Sequence, residues 1–347
     1  MKKVLIALLI AVSAYSASAQ KQNFQVSVIS FYNLENLYDT IDDFNVSDEE
    51  FTPAGEKNYN TRIYFDKLDK LAEVISQIGD EVTGKHGPSI LGVAEIENKN
   101  VLKDLAAHKL IAHRNYKFVH YDSPDGRGVD VAMFYNPKDF VVEDSRPLYV
   151  QLPGGSKDAY YTRDILWVTG KLHGETIHIY VNHWPSRRGG EERSAPARAA
   201  AAMIAKNHLD SIQAKDGPVK AVIMGDLNDD PVSPSLTHVL KTKAVKEEVK
   251  PGELFNPWVD MYKKGYGTLA YADAWNLFDQ IVISSPWLDR KQDGFFFYQA
   301  KVFNKPFLVE NQGRYKNHPM RTWDGNVYRG GYSDHFPTYI VLAKRPQ

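Results

Sequence analysis

An α/β fold is what this sequence predicts, and three observations carry it. Short apolar runs, among them Ile90-Leu91-Gly92-Val93-Ala94 and Ala221-Val222-Ile223-Met224, are bounded by glycine, proline and turn residues, as buried strands are. Between them lie stretches whose apolar residues recur at helical spacing. No repeat, low-complexity tract or sustained change of composition divides the chain, so residues 20–347 are expected to form one domain.

Residues 1–19 have the layout of a secretory signal: Lys2 and Lys3, an apolar stretch over 4–12, and Ala17-Ser18-Ala19 as a small-residue cleavage site. Export to the periplasm or the exterior is therefore expected. The apolar stretch is too short for a convincing membrane span, and no later stretch is long enough. The chain has no cysteine, which excludes disulfides, a lipid-modified N-terminal cysteine and cysteine zinc sites. Its net charge of −1 argues against a dedicated nucleic-acid binder, though not against an enzyme that meets phosphate through a few local cations.

In chain order, alternating Val26, Val28, Ile29 and Phe31 predict a first strand over 25–31 that runs into Asn33-Leu34-Glu35. The acidic stretch 39–56 reads as a surface loop. Phe65, Leu68, Leu71, Ala72, Ile75 and Ile78 share one face of a helix over 65–78 that Gly79 ends. A strand over 90–94 leads into Glu95, followed by a short helix over 101–109 capped by Asn98 or Asn100. Strands are expected over 118–121 and 129–135 around a turn-rich loop, and a hairpin over 165–171 and 176–181 delivers Asn182-His183-Trp184. A basic loop with Arg187, Arg188 and Arg193 leads into an alanine-rich helix over about 197–212. Residues 253–276 read as loop with some short helix, 278–283 as a strand containing Asp279, and 336–342 as the terminal strand behind Ser333-Asp334-His335. Residues 286–326 show no pattern that assigns them.

Around Gly225-Asp226-Leu227-Asn228 the argument turns to chemistry. The apolar run before it ends in a sharp turn that sets a carboxylate and an amide side by side. Asp226 can orient or deprotonate a water, and Asn228 can donate to charge developing on a substrate oxygen. Gly, Asp and Asn are also ordinary turn residues. The recurrence of polar or ionisable groups at other strand ends outweighs that reading: Asn33 and Glu35, Glu95, Asn182 and His183, Asp334 and His335, with Asp279 embedded in a strand. Hard carboxylate oxygens suit Mg²⁺, with Mn²⁺ or Ca²⁺ as alternatives, and histidines suit proton and phosphate handling.

In that order, Asn33-Leu34-Glu35, Ala94-Glu95, Gly225-Asp226-Leu227-Asn228, Asp279 and Ser333-Asp334-His335 resemble the motifs of the endonuclease/exonuclease/phosphatase superfamily from about Phe24 to the C-terminus. The resemblance implies a four-layer α/β/β/α sandwich of two mixed, mostly antiparallel sheets. It further implies Glu95 as main metal ligand, Glu35 as a direct or water-mediated one, and Asp334 completing the shell. Asn33 would orient the bound groups, Asp226 align the water, and Asn228 support the transition state. His335, held by Asp279, would bind or protonate phosphate oxygens. His183 matches a second histidine of the deoxyribonuclease and sphingomyelinase branches, and Arg163, with Asn182, would contact substrate phosphate. The acid partner of that second histidine has no clear counterpart here, Asp122 and Asp125 both being nearby in sequence.

The resulting expectation is a secreted Mg²⁺-dependent phosphoesterase acting on phosphodiesters, nucleic acid first. Phospholipid head-groups or small phosphoesters form the alternative, and a non-catalytic binding module of the same fold is a further one. No Gly-x-Ser-x-Gly elbow or His-Glu-x-x-His helix supports a serine hydrolase or a zinc peptidase.

Overall fold

The computed structural model describes residues 24–153, 161–271 and 274–346, so the signal-like residues 1–19 lie outside it. The strands are β1 (Gln25–Leu37), β2 (Ile90–Ile96), β3 (Lys117–His120), β4 (Asp130–Tyr135), β5 (Phe140–Leu148), β6 (Ile165–Leu172), β7 (Glu175–His183) and β8 (Ala221–Asp226). They continue with β9 (Leu254–Phe255), β10 (Leu269–Tyr271), β11 (Ala274–Asn276), β12 (Asp279–Ser284), β13 (Phe296–Val302), β14 (Trp323–Asp324), β15 (Val327–Tyr328) and β16 (Thr338–Lys344). One six-stranded sheet has the order β13-β16-β1-β2-β4-β3, and the other the order β5-β6-β7-β8-β12-β9. Both are mixed: β1 with β2 and β7 with β8 are parallel, and the remaining ladders are antiparallel.

Three apolar clusters show how the sheets are layered. Ile29 and Phe31 of β1 and Val222 and Met224 of β8 belong to one cluster, which fills the space between the sheets. Val28 and Tyr32 of β1 join Leu68, Leu71 and Ile75 of helix α1 (Thr61–Gln77) on the opposite face. Ala221 and Ile223 of β8 join Ala201, Ala202 and Ala205 of a long outer helix. Alternate side chains of one strand thus enter different cores, so the central strands are buried on both faces and read as unbroken apolar runs. The result is the four-layer α/β/β/α sandwich.

Local chemistry moves several element boundaries. The helix expected over 65–78 begins at Thr61, because the Asn60 side chain accepts from the Ile63 amide and caps it. After a one-turn helix α2 (Asp80–Thr83), the Asn98 side chain, not Asn100, caps α3 (Lys99–Ala107). The alanine-rich helix α4 spans Glu191–Asp216: Gly190 precedes it, two glutamates occupy its first turn, and Pro196 is accommodated. A short α5 (Val259–Lys263) falls in the stretch read as loop. Strand β5 has no counterpart in the sequence reading, since it is an edge strand with mostly exposed side chains and no clean alternation. In 286–326, β13 pairs with β16, and β14 with β15 forms a small hairpin.

The two parallel pairs place the chemistry. Their C-terminal ends emerge at the same edge of the sandwich, one from each sheet, and the registers break where the functional side chains begin, between Asn33 and Leu37 on β1 and between Ala94 and Ile96 on β2. On the other sheet Gly225 lets β7 and β8 close up: a Cβ there would lie 2.1 Å from the Asn182 carbonyl oxygen. Replacing Gly225 by Ala therefore forces backbone apart rather than a flexible side chain. The expected result is a loss of about 3 kcal/mol in chemical denaturation, at the upper end for overpacking.

Candidate active site

Strand pairing aligns the first group of residues. His183 of β7 stands in register with Asp226 of β8, and Asp226 with Asp279 of β12. From the other sheet, Asn33 donates from Nδ2 to Asp226 Oδ2 at 3.1 Å and accepts the Glu35 amide on Oδ1 at 2.9 Å. Glu35, Asn36, Glu95 and Asn228 have φ of +49°, +57°, +61° and +50°, in the left-handed region that glutamate rarely occupies. Such backbone at three separate strand ends, all facing one cleft, is strain held by its surroundings, and it marks a functional site.

Asp226 stands between two imidazoles. Its Oδ2 lies 3.7 Å from His183 Nε2 and 3.8 Å from His335 Nε2, while Oδ1 accepts the Asn228 amide at 3.0 Å. The longer gaps exceed hydrogen-bond length, so the rings face the carboxylate without being bonded to it. His335 Nδ1 meets Asp279 Oδ2 at 2.7 Å, and the Ser333 hydroxyl, which donates to the Asn33 carbonyl, receives the His335 amide. Burial opposes charge on His335, yet Asp279 and then Asp226 hold its pKa well above the ordinary value. His183 is the reverse: burial, reinforced by Arg163, Arg127 and His335, holds its pKa well below. Two histidines on one carboxylate are thereby set as an imidazolium and a neutral ring.

The carboxylates of the cleft carry more negative charge than their neighbours offset. Glu95 Oε1 lies 3.7 Å from His183 Nε2, and its Oε2 accepts the Asn36 amide at 3.0 Å. Asp334 Oδ1 is 3.9 Å from His335 Nε2. Burial and the Asp334 charge push the Glu35 carboxyl up to about 7, and burial pushes Asp226 to about 7 although His335 works against it. Hard carboxylate oxygens gathered in one cleft suit a divalent cation, and Glu95 and Asp334 are the carboxylates here with the least exclusive hydrogen bonding. Asp226, Asp279 and His335 also lie close enough to share an ion. That grouping would cost the 2.7 Å bond that holds His335, so we assign it to the imidazole and not to metal.

Glu35 has a structural role beside any ligand role. Its oxygens accept the Thr322 and Trp323 amides at 2.7 and 3.1 Å, so it anchors the β14 segment under the cleft, with one lone pair left on each oxygen. Beneath it Lys67 of α1, fully buried, donates to Thr322 Oγ1 at 2.8 Å. Burial lowers this ammonium to about 8, although Glu35, Asp334 and Glu95 all favour its charge. No motif exposes Lys67: a lysine on the buried face of an amphipathic helix is the one signal for it, because lysine is almost never buried without a partner.

Two residues assigned to substrate phosphate are corrected by their bonds. Asn182 is completely buried, with its amide donating to the Tyr180 and Met224 carbonyls and its oxygen accepting Trp184 Nε1, so nothing remains for substrate. Arg163 is likewise buried: it donates to the His183 and Trp184 carbonyls and pairs with Asp125 at 3.0 Å. Its guanidinium positions the His183 turn. Neither Asp122 nor Asp125 contacts His183, whose Nδ1 is buried without a hydrogen-bond partner; Asp122 faces His120. Asn228 gives one N–H to the Trp184 carbonyl at 2.9 Å and keeps a second for substrate.

The loop after Asn228 is braced from the basic segment. Arg187 donates to the Asn228 carbonyl at 3.0 Å, approaches Asp229 and Asp230, and lies over the Phe278 ring. Arg198 of α4, fully buried, pairs with Asp229 at 2.7 Å. Trp184 and Trp323 are buried in the apolar cores, the commoner use of tryptophan.

Two measurements check this electrostatic reading. Because Asp279 raises the His335 pKa, Asp279→Asn is expected to move the His335 titration midpoint, followed by NMR of the ring protons, to lower pH. Lys67→Met removes a buried ammonium that favours the Glu35 charge and leaves Thr322 Oγ1 without its donor, and is expected to cost about 1–3 kcal/mol in denaturant unfolding. Part of that loss should return in the double variant Lys67→Met/Glu35→Gln.

The comparisons with known proteins agree with this geometry. The chain matches the model of the Endonuclease/Exonuclease/phosphatase family over residues 28–344. No curated protein matches it in sequence. An endonuclease/exonuclease/phosphatase family protein from Bacteroides thetaiotaomicron superposes with TM-score 0.55 at 17% identity, covering 93% of this chain and 100% of that one. The mannosyl-6-phosphatase of the same organism gives TM-score 0.54 at 17% identity, with 91% and 99% covered. Humanized D. rerio TDP2 gives 0.53 at 13% identity, with 91% and 98% covered. At these identities the structures establish the shared fold, and the family match spans nearly the whole chain. This protein belongs to the endonuclease/exonuclease/phosphatase family of phosphoester hydrolases.

Proposed function

We propose that this chain is an exported Mg²⁺-dependent phosphodiesterase that cleaves nucleic acid. The observation that carries the reading is the pair of oppositely set imidazoles flanking Asp226, because a phosphoryl group offers oxygens for a charged donor and a neutral one at once. Asp226, pushed to about 7, is basic enough to draw a proton from an attacking water, with Asn33 fixing the carboxylate's direction. His335, kept protonated and oriented by Asp279, donates from Nε2 to a phosphate oxygen. The neutral His183 ring turns Nε2 toward Glu95 and Asp226 at 3.7 Å, and with its proton on that atom it serves as a second donor. Asn228 adds its second N–H where charge develops. A divalent cation held by Glu95 and Asp334 would supply Lewis-acid stabilisation of the phosphoryl group.

With Arg163 turned inward, a small phosphoester is the second reading, and the same experiment separates the two. Plasmid DNA, abasic duplex, RNA, sphingomyelin, bis-p-nitrophenyl phosphate and inositol and sugar phosphates are to be assayed with Mg²⁺, Mn²⁺, Ca²⁺ and EDTA. Nucleic acid should be the best substrate, EDTA should abolish turnover, and Glu95→Gln and His335→Gln should each lower kcat about 10²–10⁴-fold. Activity that survives both EDTA and the two substitutions would overturn the mechanism. Preference for a monoester would overturn the substrate class alone. Export is checked by expressing the full chain and sequencing its mature N-terminus, expected at Gln20.

A further inference from the structure

Side chains from three segments meet beside the His183 turn. The loop after His120 contributes Asp125 and Arg127, the approach to β6 contributes Tyr161 and Arg163, and the segment after β7 contributes Ser186 and Arg188. Together they line a cavity of about 330 Å³. Its charge differs from that of the chain as a whole. Among the described residues that line it are three guanidiniums and one carboxylate, and Asp125 pairs with Arg163 at 3.0 Å and with Arg127 at 3.5 Å. Arg188 is exposed and makes no ion pair among the described residues. Arg127 and Tyr161 are each about half-exposed, at 48% and 51%.

The cavity is tied to the catalytic centre by covalent and hydrogen-bonded links. Its inner wall, Arg163, donates to the His183 and Trp184 carbonyls. Ser186 lies three residues beyond His183, a span of at most about 10 Å of extended chain. On its far side Ser186 and Arg188 also line a larger hollow of about 710 Å³ that contains Arg187 and Phe278. The two hollows therefore share a rim at Arg188. Tyr161 lines the smaller hollow, and Tyr271 and Phe278 line the larger one.

From this arrangement we infer that Arg127, Arg188 and Tyr161 form a subsite for a phosphate and base next to the scissile phosphate on a single-stranded nucleic acid. The chemistry selects the class. Guanidiniums pair with phosphate oxygens, and a half-exposed tyrosine offers a face on which a base stacks whatever its identity. A compact phosphosugar would reach the catalytic residues and leave this cavity empty. The inference rests on the nucleic-acid reading given above, and its test is chosen to stand without turnover.

The full chain, held in EDTA so that nothing is cleaved, is titrated against 5′-fluorescein hexathymidylate by fluorescence anisotropy at several salt concentrations. Arg127→Ala and Arg188→Ala are each expected to weaken binding about tenfold and to reduce the slope of log K against log salt by about 0.7. Tyr161→Ala should weaken binding comparably at unchanged slope, since stacking releases no counterion. Lys109→Ala, on the far layer, should bind as wild type. Unchanged binding in both arginine variants, or equal weakening in Lys109→Ala, would overturn the subsite. If binding follows the expected pattern but no phosphodiester is cleaved under any metal, the subsite stands and the proposed activity falls.

Discussion

A single buried carboxylate organises this molecule. Asp226 lies at the edge where the two sheets face each other, and it is held from both: Asn33 reaches it from β1, His183 stands beside it on β7, Asp279 opposes it on β12, and His335 approaches from the segment before β16. Burying charge is expensive unless partners compensate. Here the partners arrive from positions 33 to 335, so the fold must close before the cost is met. The layering serves that closure. Alternate side chains of the central strands feed separate cores, and the strand ends are left fixed relative to one another.

Electrostatics then differentiates groups of the same type. His335 and His183 are both buried, yet one faces Asp279 at 2.7 Å and the other sits near Arg163 and Arg127 without a partner on Nδ1. Environment alone sets one ring charged and the other neutral. Among the carboxylates, Glu35 is spent on backbone amides above Lys67, whereas Glu95 remains open to the cleft. Glu35 thereby ties the β14 segment to the cleft floor, and Glu95 faces the cleft itself.

Arginines perform most of the positioning. Arg163 fixes the turn that carries His183, Arg187 holds the carbonyl of Asn228, and Arg198 pairs with Asp229 below the same loop. Each bridges elements far apart in sequence, with a planar group that donates to several acceptors at once. The same basic segment turns Arg188 outward, so a few residues both brace the centre and line the surface beside it.

Much of this was legible in the sequence. Apolar runs ending in Asn33, Glu95, His183 and Asp226, and His335 just before the last one, marked the ends and beginnings of buried strands. The family motifs, in register, implied the four layers. Tertiary structure alone decided the direction in which side chains point. Asn182 and Arg163 carry the right chemistry for phosphate, but their hydrogen bonds turn inward, and nothing in a linear pattern distinguishes an amide that faces solvent from one that faces a carbonyl. Lys67 and Arg198 were hidden for a related reason: a helix periodicity reports which face is buried, not which buried cation meets a carboxylate from another layer. Local sequence therefore determined where the chain places its reactive groups, and long-range packing determined which of them remain free to react.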